Sequence, residues 1–246
     1  MENINLDNTI IYYKVIKSKR KTCAIQIDIK GNVVVKVPMQ YNKIHIELFL
    51  QQNKSWLVGK ISKVEFLNKN YENRNYTQGE EFFYLGNRLP LHIEKIEGSS
   101  LALAMKEDGF YAKLGESITV STRKNHIKQA LILLYKKAAR RVLMQKTEYF
   151  SSIIGVNFNK IFIKEQKTLW GSCSYINNIN YNWKIIMAPE KIVDYLVVHE
   201  LCHIKFRNHS KEYWNEVGKY LPDYKHRRKW LKENGRMLDL DRKIRN

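Results

Sequence analysis

Residues 189–205 restrict this chain more than any other segment. Pro189 suits the first turn of a helix. After it, Ile192, Val193, Leu196, Val197, Val198, Leu201 and Ile204 put apolar side chains on several sides. A helix that is apolar all round is buried inside a domain. Yet His199, Glu200 and His203 lie within it, and buried polar groups need partners. A bound ion resolves the conflict. Residues four apart lie on one helix face, about 40° apart around the axis, so both imidazoles can aim at a single ion. Glu200 is rotated by ~100° from His199 and can reach a metal-bound water without being a ligand. Two ligands and a general base on one helical turn is the logic of the HExxH pattern, here His199-Glu200-Leu201-Cys202-His203.

A catalytic zinc usually takes three protein ligands and a water. His209 follows His203 by six residues, and Phe206-Arg207-Asn208 reads as a helix exit in which Asn208 can take a left-handed turn. The spacing equals that of metzincins, but Phe206 stands where they carry glycine and no Met-turn is evident, so that class does not follow. Glu212 and Glu216 are rival third ligands. His209 is favoured because neutral imidazole suits zinc and because a short loop can return it to the site. Cys202 lies about 80° from the midpoint of the two histidines on a helical wheel and reads as a small buried filler. The chemistry that follows is hydrolysis. Zinc lowers the pKa of bound water towards ~7, Glu200 takes its proton, and the hydroxide attacks a carbonyl or phosphoryl centre. Tyr213, Tyr224 and His226 are candidates for stabilising the oxyanion.

The rest of the chain reads as α+β. Ile25, Ile27 and Ile29 alternate with polar residues, Gly31-Asn32 turns, and Val33 to Val37 returns to Pro38, which is a hairpin pattern. A helix is expected over 42–70, with Ile44, Leu48, Trp56, Ile61 and Val64 as its apolar face. Short strands are expected at 81–84, 89–93, 101–105 and 109–113, with one more at 118–121. Near residue 121 the texture changes to a long helix over 123–154, stopped by Gly155. Strands follow at 160–164, 169–174 and 180–187. The expected domains are therefore 1–120, β-rich with one long helix, and 121–246, with a small sheet and the HExxH helix.

Lys and Arg number 43 against 24 Asp and Glu, a net charge of +19. That charge admits nucleotides or nucleic acid as partners, with Tyr224–Arg228 and Arg242–Arg245 as basic clusters, although basic residues are spread along the whole chain. Cys23, Cys173 and Cys202 form no CxxC pair, so neither a disulfide framework nor a cysteine zinc knuckle is indicated. The first residues lack a signal-peptide pattern, and no apolar run approaches the ~20 residues that span a bilayer. A cytoplasmic setting without membrane contact is the expectation.

Several short segments together resemble one family. Trp170-Gly171-Ser172-Cys173-Ser174, Ile179-Asn180-Tyr181-Asn182-Trp183, Met187-Ala188-Pro189, the HELCH run, His209-Ser210 with Tyr213-Trp214, and the tail Leu221–Leu231 are similar to the YgjP-like (DUF45) metallopeptidases. So are the Ser18–Pro38 hairpin and Gly79–Pro90. The resemblance implies a zincin-like catalytic region related to the SprT and WLM groups, a Zn2+ cofactor, peptide or protein substrates, and the third ligand on His209. It also implies that the strand carrying Trp170, Gly171 and Ser172 borders the cleft, where it can bind substrate by backbone pairing. The leading function is zinc metallopeptidase. A nucleotide pyrophosphatase using the same site, and a DNA-associated protease or nucleic-acid-binding module, are the alternatives.

Overall fold

The computed structural model describes residues 2–6, 9–28, 31–166 and 168–244, with side chains for all of these except 67–71, 120 and 242–244. The fold is α+β. Contacts divide the chain into two compact units, Met1–Asn73 with Arg242–Asn246, and Arg74–Asp241. The change of texture near 120 is therefore not where the units part. Residues 74–120 belong with the helical region because Phe82, Leu91, Phe110 and Ala112 share one core with Ile127, Leu131 and Tyr135.

The smaller unit contains β1 (Glu2–Leu6), β2 (Thr9–Ser18), β3 (Ala24–Ile27), β4 (Val33–Pro38), α1 (Lys43–Gln52), α2 (Lys54–Asn70) and β5 (Tyr71–Asn73). The sheet order is β1-β2-β4-β3, with β3 and β4 forming the expected antiparallel hairpin and β2 running parallel to β4. β5 pairs with Arg242–Ile244. The helix expected over 42–70 is two helices. Asn53 ends the first by donating from its backbone and its side chain to the Phe49 carbonyl. The buried face also differs. Ile46, Leu50, Leu57 and Val64 are buried, whereas Ile44, Leu48 and Trp56 are exposed; the four buried residues fall on a single stripe at helical period.

In the larger unit, β6 (Glu81–Tyr84), β7 (Asn87–Ile96), β8 (Leu101–Met105) and β9 (Phe110–Gly115) form a sheet of order β6-β7-β9-β8. No strand forms at 118–121; Thr119 instead precedes α3 (Val120–Ile154), which Gly155 ends in the left-handed conformation, φ 71°. β10 (Ile161–Lys164), β11 (Gly171–Cys173) and β12 (Ile179–Asn182) follow. Their order is β10-β12-β11, which leaves β11 at an edge. The strand expected to run on to 187 stops at Asn182, whose side chain accepts from the Lys184 N–H and starts a 3₁₀ turn over Trp183–Met187. Three helices complete the unit: α4 (Glu190–Lys205), α5 (Lys211–Tyr220) and α6 (Tyr224–Asn234). Among the described residues, no helix is long and apolar enough to cross a membrane. The Arg242–Arg245 cluster lies outside the described side chains.

Two contacts set where α4 begins. The β6–β7 turn uses Leu85 and Gly86 at positive φ, 48° and 85°, the backbone of a tight primed hairpin. Its tip is pressed onto the entrance of α4. The Leu85 N–H donates to the Ile186 carbonyl at 2.8 Å, and a Cβ at Gly86 would sit 2.8 Å from the Pro189 Cα. Glycine is required there for its conformation and for its size.

A buried ion pair anchors the first residues of this unit. Arg74 donates to Glu80 at 3.3 Å, and both side chains are less than a twentieth exposed. The other Glu80 oxygen accepts from the backbone N–H groups of Asn75, Tyr76 and Thr77. This holds Tyr76, which is not glycine, at φ 56°, a conformation that costs on the order of 1 kcal/mol or more when unsupported.

Candidate metal centre

α4 brings His199 and His203 to one face, and the chain leaves the helix at Phe206 in an extended conformation. Asn208 is not among the described residues with positive φ, contrary to the expected left-handed turn. Its side chain instead accepts from the Ser210 N–H at 3.3 Å, an Asx-type turn that achieves the same reversal. Ser210 then caps α5 by accepting from the Tyr213 N–H. His209 is carried back between these two turns. One nitrogen from each of His199, His203 and His209 lies within 4.8 Å of the others. The rival carboxylates stay outside this group. Glu212 is exposed and bonded to Ser210, and Glu216 is held by Lys205, Lys219 and Tyr220.

Hydrogen bonds fix which ring nitrogens are free. His203 Nδ1 faces the Phe206 carbonyl at 3.0 Å. A carbonyl only accepts, so Nδ1 carries the proton and Nε2 keeps its lone pair. His199 Nδ1 meets the Tyr213 hydroxyl at 2.7 Å, and that hydroxyl donates to the His199 carbonyl at 3.0 Å. Nδ1 therefore donates here too, and Nε2 is again free. His199 Nε2 and His209 Nε2 are 3.3 Å apart. Metal–nitrogen bonds of 2.0–2.1 Å in tetrahedral geometry place two ligand nitrogens ~3.3–3.4 Å apart, so this pair stands at the spacing of two ligands on one ion. Burial, followed by the neighbouring His203 and His209, holds His199 down to about 3. Burial also lowers His203 and His209. Each shift favours the neutral form, which is the form that ligates metals.

Glu200 is 2% exposed. Its Oε2 has no hydrogen-bond partner, and burial alone pushes the carboxyl up to about 8. An orphaned buried carboxylate is rare, and a cation beside it favours its ionised form. β11 lies directly against it, since a Cβ on Gly171 would come 2.4 Å from Glu200 Oε1. The glycine of the Trp170–Ser174 run is thus the space that Glu200 occupies. The side chains of Trp170 and Ser172, expected at the cleft through their backbone, are engaged elsewhere. Trp170 packs its indole against Gly235, and the Ser172 hydroxyl accepts from Asn180 at 3.1 Å. Trp183, equally able to line a cleft or a core, is core: it is 1% exposed and stacks on Tyr135.

The chain matches the YgjP-like metallopeptidase domain over residues 21–234. It belongs to that family. A metallopeptidase takes a metal cofactor and acts on proteins or peptides, and the histidine group is where this member's own residues fit an ion. Among solved structures, the metallopeptidase zymogens abylysin of Pyrococcus abyssi and jannalysin of Methanocaldococcus jannaschii are similar to it. Their sequence identities are 22% and 20%, and each has a TM-score of 0.34. Each alignment covers 37% of this chain, and 93% and 94% of the respective zymogens. No protein of curated function shows significant similarity to the chain.

The sequence marks Tyr213 as an oxyanion candidate, and the structure gives it another contact. Its hydroxyl is engaged by His199 on two sides, so it orients that ring. The clue was available, because Ser210 at an N-cap fixes the start of α5 and puts Tyr213 on its first turn. The loop bearing His209 is also braced from both ends. Arg207 donates to the carbonyls of Ser174 and Tyr175 and to Asn177 Oδ1. Lys205, in the last turn of α4, bridges the Ile154 carbonyl and Glu216 of α5.

That second brace has a pH signature. Lys205, Lys219 and Tyr220 donate to Glu216 and hold its carboxyl down to about 2. A depressed carboxylate stabilises the fold fully above its unfolded value, and the contribution fades as pH falls through the folded value. Wild type should therefore exceed Glu216→Gln in urea stability by roughly 2–3 kcal/mol above pH ~4.5. The gap should close as pH falls towards 2. A gap that is constant over this range would show that the charge of Glu216 contributes nothing.

Proposed function

We propose that the protein is a zinc-dependent peptidase in which His199, His203 and His209 hold the ion and Glu200 is the general base. The observation that carries this reading is the meeting of three imidazole nitrogens one residue along α4 from a buried carboxylate whose Oε2 has no hydrogen-bond partner. When bound, zinc supplies Lewis-acid polarisation of a carbonyl and brings the pKa of water towards ~7. Glu200 accepts the proton of the attacking water and passes it to the departing amine. Gly171 leaves its carboxylate room to reach that water. Tyr213 and the Phe206 carbonyl hold the rings of His199 and His203 so that no ring rotation precedes the reaction. Peptide cleavage rather than phosphoryl transfer follows from the family. The charge that admits nucleotides is partly committed elsewhere, with Lys146, Lys184, Lys205 and Arg227 paired to carboxylates.

Metal analysis of wild type and His209→Ala, alongside cleavage of a peptide library, tests the assignment. Purified wild type should carry stoichiometric zinc. His209→Ala should lose more than the about 10–100-fold in affinity that follows removal of an outer-shell partner, measured by competition with a chromogenic chelator. Unchanged affinity in His209→Ala would place the third ligand elsewhere.

A further inference from the structure

The two adjacent arginines of α6 are used in opposite ways. Arg227 is committed, with its Nε on both oxygens of Asp223 and an Nη on the Lys191 carbonyl. Arg228 has no hydrogen bond or ion pair among the described residues. It is nevertheless fixed in place, lying over the Trp214 ring with Cζ 4.5 Å from the centroid. Trp214 in turn stacks on His209 at 5.5 Å and 18°, approaches His199 at 5.9 Å, and stacks on Tyr224 at 5.3 Å. The guanidinium is thus one aromatic ring away from two of the three histidines, and its planar donors remain open to a ligand.

We propose that Arg228 is the carboxylate-binding group of this cleft, so that the enzyme prefers peptides bearing a free carboxylate close to the scissile bond. The inference rests on the peptidase reading. A guanidinium over an indole face keeps its five N–H donors, and this planar fork matches a carboxylate for bidentate capture. The stack also limits the entropy lost when it binds. The carboxylate can come from a peptide C-terminus or from an Asp or Glu side chain.

The test uses zinc-loaded Glu200→Gln protein, in which binding is read without turnover. Three peptides of otherwise identical sequence are titrated: one neutral with an amide C-terminus, one ending in a free carboxylate, and one amidated with Asp in place of Asn. At least one carboxylate peptide should bind 10-fold or more tightly than the neutral one. Adding Arg228→Ala should abolish that preference while leaving the neutral peptide's affinity unchanged. Arg228→Lys should restore it only in part, and Lys229→Ala should leave it intact. Equal binding of all three peptides, or a preference that survives Arg228→Ala, overturns the inference and leaves the peptidase reading standing. Failure of every peptide to bind, together with no cleavage by wild type, removes both.

Discussion

Replacing Glu200 by glutamine should reduce peptide cleavage by on the order of 10²–10⁴-fold, the usual worth of a general base, with the zinc content unchanged. Glutamine keeps the shape that fits against Gly171, and the three imidazoles and their Tyr213 and Phe206 partners are untouched. Only the proton-accepting oxygen is lost. Measuring zinc by mass spectrometry on the same preparation used for the cleavage assay separates the two roles. Cleavage at wild-type rate with full zinc would remove Glu200 from the chemistry. Loss of zinc together with loss of activity would make it a ligand instead.

The second large effect lies away from the site. Glu80→Ala should destabilise the unit formed by Arg74–Asp241 by about 3–5 kcal/mol, the cost of stranding one member of a buried ion pair. Two penalties add. Arg74 loses the Glu80 carboxylate and keeps its bond to the Glu81 carbonyl, and three consecutive backbone N–H groups lose their acceptor. The left-handed Tyr76 is then held only by its own contacts, chiefly the bond from its hydroxyl to the Leu240 carbonyl. Thermal unfolding should shift downward by roughly 10 °C for a unit of this size. Glu80→Gln, which keeps an acceptor for the backbone, should lose less. An Arg74→Met/Glu80→Gln double variant should lose less than the sum of the single changes. Additive losses would mean that the two side chains do not act as a pair.

Much of the site could be read from the sequence because its parts lie close together along the chain. HELCH is helical by spacing alone, and the apolar residues around it announce burial. His209 could be favoured over Glu212 and Glu216, and the structure does bring its ring to His199. The route was misjudged, since Asn208 reverses the chain through its side chain rather than through its own φ. Periodicity cannot distinguish these two solutions, because both ask for the same residue. What stayed hidden was what depends on distant segments. Nothing local says that Gly171 exists to make room for Glu200, or that Trp170 turns to Gly235 while Arg228 turns to Trp214. The fold shows the same division. Hairpins and α3 follow from local pattern. The early end of β12 at Asn182 and the end of α1 at Asn53 are marked by single side-chain bonds that no window of hydrophobicity records.

The edge position of β11 sets how discriminating this protein can be. Trp170 and Ser174 bond through their backbones to Asn182 and Asn178 of the β12 side, and Ser172 pairs with Asn180. By the alternation of an antiparallel ladder, the N–H and C=O groups of Gly171 and Cys173 face outward. An extended chain laid along them gains about four main-chain bonds at roughly 0.5–1.5 kcal/mol each. That is about what immobilising the chain costs. So short an edge cannot grip an arbitrary unfolded polypeptide for long, and it offers little template for self-association. A protease built this way stays benign towards most chains that drift past it, and only those whose side chains add their own affinity remain long enough to be cut.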